Sequence, residues 1–268
     1  MKKLICVFLL AALLLSLAAC GTKREETVEL TVFAAASMTE TLDRVIEAYK
    51  EVAPNVTVIP TYDSSGTLKT QIQEGADCDI FISAAQKQMN QLDASKDADG
   101  GNTEGLDFVL PGTRVDLLEN KVVLAVPDAN PAGIEGFSDL GTDRLKLLCI
   151  GNEDVPVGAY SLEILTALGI LDDLESSGRL TYGSNVKEVT TQVKEGTVDA
   201  GIIYATDAFS AGLTVVDRAD SSLCRQVIYP AAVLNTTKQE QAAKDFLAYL
   251  QSDAAMEVFR SVGFAPAA

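Results

Sequence analysis

The chain has 268 residues, a formal net charge of −17 from 21 Lys plus Arg against 38 Asp plus Glu, and neither His nor Trp. With 47% hydrophobic and 22% charged residues it belongs among folded globular proteins, long enough for one large or two medium domains. The acidic field disfavours nucleic acid as a partner, and the lack of His excludes Ser-His-Asp or Cys-His catalysis and imidazole-bound metal.

Residues 1–20 read as an address. Lys2 and Lys3 precede an apolar run from Leu4 to Ala19, too short for a spanning helix but right for a secretory signal. Leu17-Ala18-Ala19-Cys20 resembles the bacterial lipobox, whose Cys becomes the lipidated first residue; the alternative is an uncleaved anchor with an incidental Cys. The expected mature chain therefore starts at Cys20, with residues 20–27 as a polar tether. Of the remaining cysteines, Cys78, Cys149 and Cys224 have spacings that fit no zinc site. Cys78 and Cys149 flank or occupy apolar runs, as structural thiols do, and pairing between the three is left open.

From residue 28 onward, strand and helix patterns alternate. Val28 to Phe33 alternates apolar and polar, and a helix is predicted from Ser37 with Leu42, Val45, Ile46 and Tyr49 on one face. Ser37 and Glu40 have capping-box spacing. Val56 to Tyr62 is a strand, broken by Asp63-Ser64-Ser65-Gly66 before a short helix. Asp79 to Ile82 is a strand, a helix lies near 86–93, and 93–105 is a polar loop. Lys121 to Pro127 and Leu145 to Ile150 are strands. Pro156-Val157-Gly158 opens a helix stopped by Gly169; Asn185, with Glu188 three residues on, caps another that ends at Gly196. Ala200 to Tyr204 is a buried strand followed by a helix from Thr206, then strands at Leu213–Asp217 and Val227–Leu234 and two closing helices, about 237–251 and 252–262. Repeated β-then-α units with apolar strands predict an α/β protein with mostly parallel sheets.

Five strand-to-helix junctions carry small, hydroxyl or Gly-flanked residues: those at Ser37, Ser65, Val157, Val186 and Tyr204. In parallel α/β folds ligands bind beyond the carboxyl ends of strands. Helix N-termini there offer unpaired N–H groups and partial positive charge to an anion. No Lys or Arg lies in the Ala-Ala-Ser37 or Ser64-Ser65-Gly66 turns, so the implied anion site is neutral. Each residue also has a plain structural role: Ser37 and Ser65 are good helix caps, and Tyr204 is a core-edge phenol. The conjunction of five junctions favours a ligand site.

These segments also carry a resemblance. Thr31-Val32-Phe33-Ala34-Ala35-Ala36-Ser37, Tyr62-Asp63-Ser64-Ser65-Gly66-Thr67-Leu68, Asp79-Ile80-Phe81-Ile82-Ser83-Ala84, Val155-Pro156-Val157-Gly158-Ala159-Tyr160 and Gly201-Ile202-Ile203-Tyr204-Ala205-Thr206-Asp207-Ala208 look like the periplasmic molybdate-binding proteins of ABC importers, in that family's order. The resemblance implies a two-lobed periplasmic-binding-protein fold of type II, its sheet domains joined by a two-segment hinge. Lobe 1 would comprise about 28–117 plus 231–268, and lobe 2 about 118–230. It implies a molybdate or tungstate site in which Ser37 and Ser65 give hydroxyl and N–H donors, Val157 and Val186 give N–H, and Tyr204 gives its phenol proton. Molybdenum would be held only as its oxyanion, with no other cofactor and no catalysis. The implied partners are an ABC permease and, through Cys20, the membrane. The protein would be an extracytoplasmic monomer, on the periplasmic side where the cell has an outer membrane.

Three positions depart from the family's pattern. Asp63 stands where a small neutral residue is common and is expected to point away from the anion. Gly66 replaces a frequent Ser. Lys187 replaces a common Arg and is expected to matter for the surface more than the site. Competing readings are a binding protein for sulfate or phosphate, a structural surface lipoprotein, and a penicillin-binding type of enzyme. The last rests on Ser184-x-x-Lys187 alone, without the further motifs such enzymes carry.

Overall fold

The computed structural model describes residues 27–267. The signal segment, Cys20 and all but the last residue of the tether lie outside these described residues. Two sheets organise the chain. The first contains β1 (Val28–Ala35), β2 (Val56–Asp63), β3 (Ile80–Ile82), β4 (Val115–Asn120), β10 (Val227–Val233) and the short β11 (Ala265–Pro266), in the order β11-β4-β10-β3-β1-β2. The second contains β5 (Val122–Val126), β6 (Leu148–Gly151), β7 (Leu180–Gly183), β8 (Ala200–Tyr204) and β9 (Thr214–Arg218), in the order β7-β6-β8-β5-β9. Each sheet has a parallel half, β2-β1-β3 in one and β7-β6-β8 in the other. Each also has an antiparallel half, built on the strands that border the crossings between sheets with β11 added at one edge, so the sheets are mixed rather than mostly parallel as expected: a strand that returns from the other lobe enters its sheet reversed. The chain passes from the first sheet to the second at Lys121 and returns through residues 219–226.

Period-two patterning builds the first lobe. Leu30, Val32 and Ala34 of β1 join one apolar cluster, while Phe33 faces the opposite side with Leu68, Ile72, Phe81 and Met89. Helix α1 (Thr39–Val52) buries Leu42, Val45, Ile46 and Tyr49, the stripe its sequence predicts. Tyr49 stacks on Phe246 of α8 (Glu240–Leu250), ring centroids 4.9 Å apart, and α9 (Asp253–Arg260) closes that side. Helices α2 (Ser65–Gln73) and α3 (Gln86–Leu92) cover the other face.

In the second lobe α4 (Pro156–Ala167) starts with Pro156 at its first turn, where the missing N–H costs nothing. Short α5 (Leu171–Ser176) follows, then α6 (Val186–Lys194) and α7 (Ala205–Ala211). Asn185 caps α6 as predicted, its side chain accepting Glu188 N–H at 3.1 Å. Gly212 ends α7 in the left-handed region, φ 68°. Gly201 is required by packing: a Cβ there would sit 2.4 Å from Val193 Cγ2. Cys78, Cys149 and Cys224 are all free thiols, the first two buried.

Two capping expectations are corrected. Ser37 does not cap a helix: residues Ala36–Met38 form a 3₁₀ turn, and α1 then begins without any side-chain cap. Ser65 is one residue inside α2; the cap is Ser64, whose Oγ accepts Thr67 N–H at 3.0 Å.

Candidate functional site

The five junctions sit where the parallel halves of the two sheets end. Ser37 follows β1, Ser65 follows β2, Val157 lies in the first turn of α4 after β6, Val186 opens α6 after β7, and Tyr204 closes β8. All five are buried. Contacts between the lobes bring their neighbourhoods together. The start of α2 meets the loop before α4, where Gly66 N–H donates to the Asp154 carbonyl at 3.0 Å. Helix α6 packs on the 3₁₀ turn that holds Ser37. The rings of Tyr160, Tyr204, Tyr229 and Phe264 form an edge-to-face row across the lobes, with successive centroids 6.4, 5.8 and 5.3 Å apart.

The polar atoms there are donors or free to become so. Val157 and Val186 occupy first-turn positions, whose N–H groups have no partner within their own helix. Ser65 Oγ accepts Ala84 N–H at 2.9 Å, which leaves its own proton to donate. Ser37 Oγ lies 2.8 Å from Tyr229 Oη. Tyr204 is 1% exposed, yet its hydroxyl finds no hydrogen-bond partner among the described residues. Burial, reinforced by Tyr229 and Tyr160, pushes the Tyr204 phenol well above its ordinary pKa, so it remains a neutral O–H donor. A buried unpaired hydroxyl is costly, and such a group, on a ring packed edge-to-face against the Tyr229 that bonds Ser37, marks a place for an acceptor.

Asp63 does not compete for that place: its Oδ1 accepts the N–H of Ser64 at 2.7 Å, so the carboxylate serves its own turn. Gly66 is explained by the lobe contact, since a Cβ would lie 2.4 Å from the Asp154 oxygen. Lys187 is partly exposed and its contacts reach both lobes. Its ammonium lies 2.7 Å from Glu40 on the first lobe and 3.0 Å from Asp207, a carboxylate with no exposure. Ser184 donates to Glu188 at 2.8 Å, so Ser184 and Lys187 have separate partners and form no nucleophile–base pair.

Sequence reasoning missed Asn120, Tyr229 and Asp207. Asn120 and Tyr229 approach Ser37 from strands distant in sequence, and Asp207 reads locally as an ordinary first-turn acidic residue.

Among the described residues no group of three or more His, Cys, Asp or Glu could hold a metal ion, and no helix is long and apolar enough to cross a membrane.

This closed pair of α/β lobes with a donor-lined junction has close counterparts. The family profile described as bacterial extracellular solute-binding protein matches residues 30–265. The chain belongs to that family. It is 36% identical over 245 residues to the Bacillus subtilis protein YvgL, provisionally named an ABC transporter substrate-binding lipoprotein, covering 91% of this chain and 89% of the relative. It is 33% identical over 264 residues to the molybdate-binding protein ModA of Escherichia coli, covering 96% of each. The periplasmic molybdate-binding protein of Azotobacter vinelandii shares the fold at TM-score 0.75 and 23% identity, covering 88% of this chain and 98% of that one. The chain is thus a solute-binding protein of the ABC-transporter type, homologous to molybdate-binding proteins, and not an enzyme.

Proposed function

We propose that this protein captures molybdate or tungstate between its lobes and delivers it to an ABC permease. The observation that carries this is the Tyr204 hydroxyl, buried and without a hydrogen bond among the described residues, in a row of rings that reaches Ser37 through Tyr229. A tetrahedral dianion supplies the missing acceptor. Ser37 and Ser65 add hydroxyl protons, and Val157 and Val186 add N–H groups at the positive ends of their helices. The site neutralises charge with dipoles alone, as befits an ion that must also be released.

Closing about the segments at Lys121 and 219–226, near the expected lobe boundaries at 117/118 and 230/231, encloses the ion and creates the surface a permease reads. Selectivity over sulfate follows from size. Fixed donors on both lobes cannot contract around the shorter sulfur–oxygen bond, and hydrogen bonds weaken steeply off geometry. Hydrogenphosphate is disfavoured because donors alone give its proton no acceptor. Similarity to a lipoprotein and the Leu-Ala-Ala-Cys20 sequence support a membrane-anchored protein outside the cytoplasm, which we take to act as a monomer. Cys20→Ser is expected to abolish labelling by a radioactive fatty acid.

Titration calorimetry with molybdate, tungstate, sulfate and phosphate tests the function. The first two are expected to bind at least a hundredfold more tightly, and sulfate or phosphate within tenfold of molybdate would overturn the assignment.

A further inference from the structure

The donor character of Ser37 is set by a side chain that does not face the anion. Asn120 ends β4, immediately before the crossing at Lys121. Its amide orientation is pinned, because Oδ1 accepts Lys121 N–H at 2.8 Å. The Nδ2 group therefore points the other way with two protons. It donates one to Thr206 Oγ1 at 2.8 Å and one to Tyr229 Oη at 3.2 Å. Asn120, Thr206 and Tyr229 are all buried. Tyr229 Oη thus receives a proton from a pure donor. Its other hydrogen bond is with Ser37 Oγ, at 2.8 Å, and the Tyr204 hydroxyl also acts on it. A phenol has one proton to give, and the direction that uses it is toward Ser37 Oγ, 2.8 Å away. Ser37 Oγ, having accepted, has its own proton free for a ligand.

The geometry points to Asn120 and Tyr229 as positioning residues that impose one direction on a hydrogen-bond relay, Asn120 to Tyr229 to Ser37 to anion, and so help to exclude protonated oxyanions. The inference rests on the proposed oxyanion site. It adds a cause for donor-only chemistry at Ser37: a serine hydroxyl can accept or donate, and the relay removes the choice. Because the relay starts at a crossing segment and its second branch reaches Thr206 in the other lobe, its polarity depends on both lobes sharing Asn120.

Reversal is the test. Asn120→Asp presents an acceptor where the donor stood. Tyr229 then donates to the carboxylate and accepts from Ser37, whose lone pairs face the ligand. Calorimetry with molybdate and with phosphate is expected to show molybdate affinity falling at least thirtyfold and phosphate affinity falling much less, compressing their ratio at least tenfold. A second arm does not depend on that variant folding. Tyr229→Phe is expected to weaken molybdate about tenfold in the wild-type background and to have less than a twofold further effect in Ser37→Ala, because the relay acts only through that hydroxyl. Independent losses in this cycle, or an unchanged molybdate-to-phosphate ratio in a folded Asn120→Asp, would overturn the relay while leaving the oxyanion function intact. Failure of the wild-type chain to bind molybdate would overturn both.

Discussion

Lys187 Nζ lies 3.0 Å from Asp207 Oδ1, joining a partly exposed ammonium to a fully buried carboxylate, and the same ammonium reaches Glu40 on the opposite lobe at 2.7 Å. Burial opposes charge on Asp207 more strongly than Lys187 favours it, so its pKa is raised to about 6. Removing the ammonium leaves the carboxylate uncompensated, a loss that typically costs about 3–5 kcal/mol. Lys187→Met is therefore expected to lower the ligand-free melting temperature at pH 7.5. Adding Asp207→Asn should restore most of it, and scanning calorimetry of the single and double variants checks both.

The pH dependence has a definite sign. Asp207 titrates near 3.8 when unfolded and about 6 when folded. Between those values the native state binds the extra proton, so stability from this group falls as pH rises from about 4 to 6. Asp207→Asn removes that component. The difference in unfolding free energy, wild type minus Asp207→Asn, is expected to grow as pH is lowered from 7 to 4. Taking the difference cancels the other carboxylates; a flat or opposite trend would show that Asp207 ionises at least as easily when folded as when unfolded.

Much of this architecture is legible locally. The α1 stripe, the Asn185 cap and the five strand ends depend on residues within one turn or one strand. What escaped depends on distant partners. Ser37 and Glu40 have capping-box spacing, but a 3₁₀ turn intervenes, Ser37 bonds Tyr229 192 residues away, and Glu40 pairs with Lys187. Ser64 and Ser65 are adjacent and chemically equal; which one caps depends on where the helix starts, and Ser65, one residue inside, takes the Ala84 N–H from a segment 19 residues away. Gly66 reads as a lost hydroxyl until Asp154 is seen against it.

Tyr204→Phe should separate binding from stability. The hydroxyl has no hydrogen-bond partner among the described residues, so its removal relieves a buried unsatisfied group, and the variant melted without molybdate is expected to be as stable as wild type or more so. A hydrogen bond to a charged group is worth about 1.5–3 kcal/mol, so molybdate binding should weaken tenfold or more. Ser65→Ala contrasts with it. That change also strips Ala84 N–H of its acceptor, and both the melting temperature and the affinity should fall. Calorimetric titration and thermal melts of the two variants distinguish these patterns.

Gly66 offers a test of closure itself. It lies in the first turn of α2 at ordinary helical backbone angles, so an alanine there brings no backbone strain; helix propensity alone favours it by up to about 1 kcal/mol. The obstacle exists only when the lobes meet. The added Cβ would fall 2.4 Å from the Asp154 oxygen and 2.8 Å from its Cα, both backbone atoms that no rotamer change can move. It would also disturb the Gly66 N–H bond to that oxygen. An open form does not feel this clash, so Gly66→Ala should leave the ligand-free melting temperature unchanged or slightly raised. Affinity depends on the closed form, and each 1.4 kcal/mol added to closing costs about a factor of ten. Molybdate affinity is therefore expected to fall at least tenfold although no atom contacting the ion has changed. Small-angle scattering supplies the second readout: the wild type should contract on adding molybdate, and Gly66→Ala should contract less at equal occupancy. Full affinity and full contraction in the variant would mean that α2 and the Asp154 loop do not meet when the anion is bound.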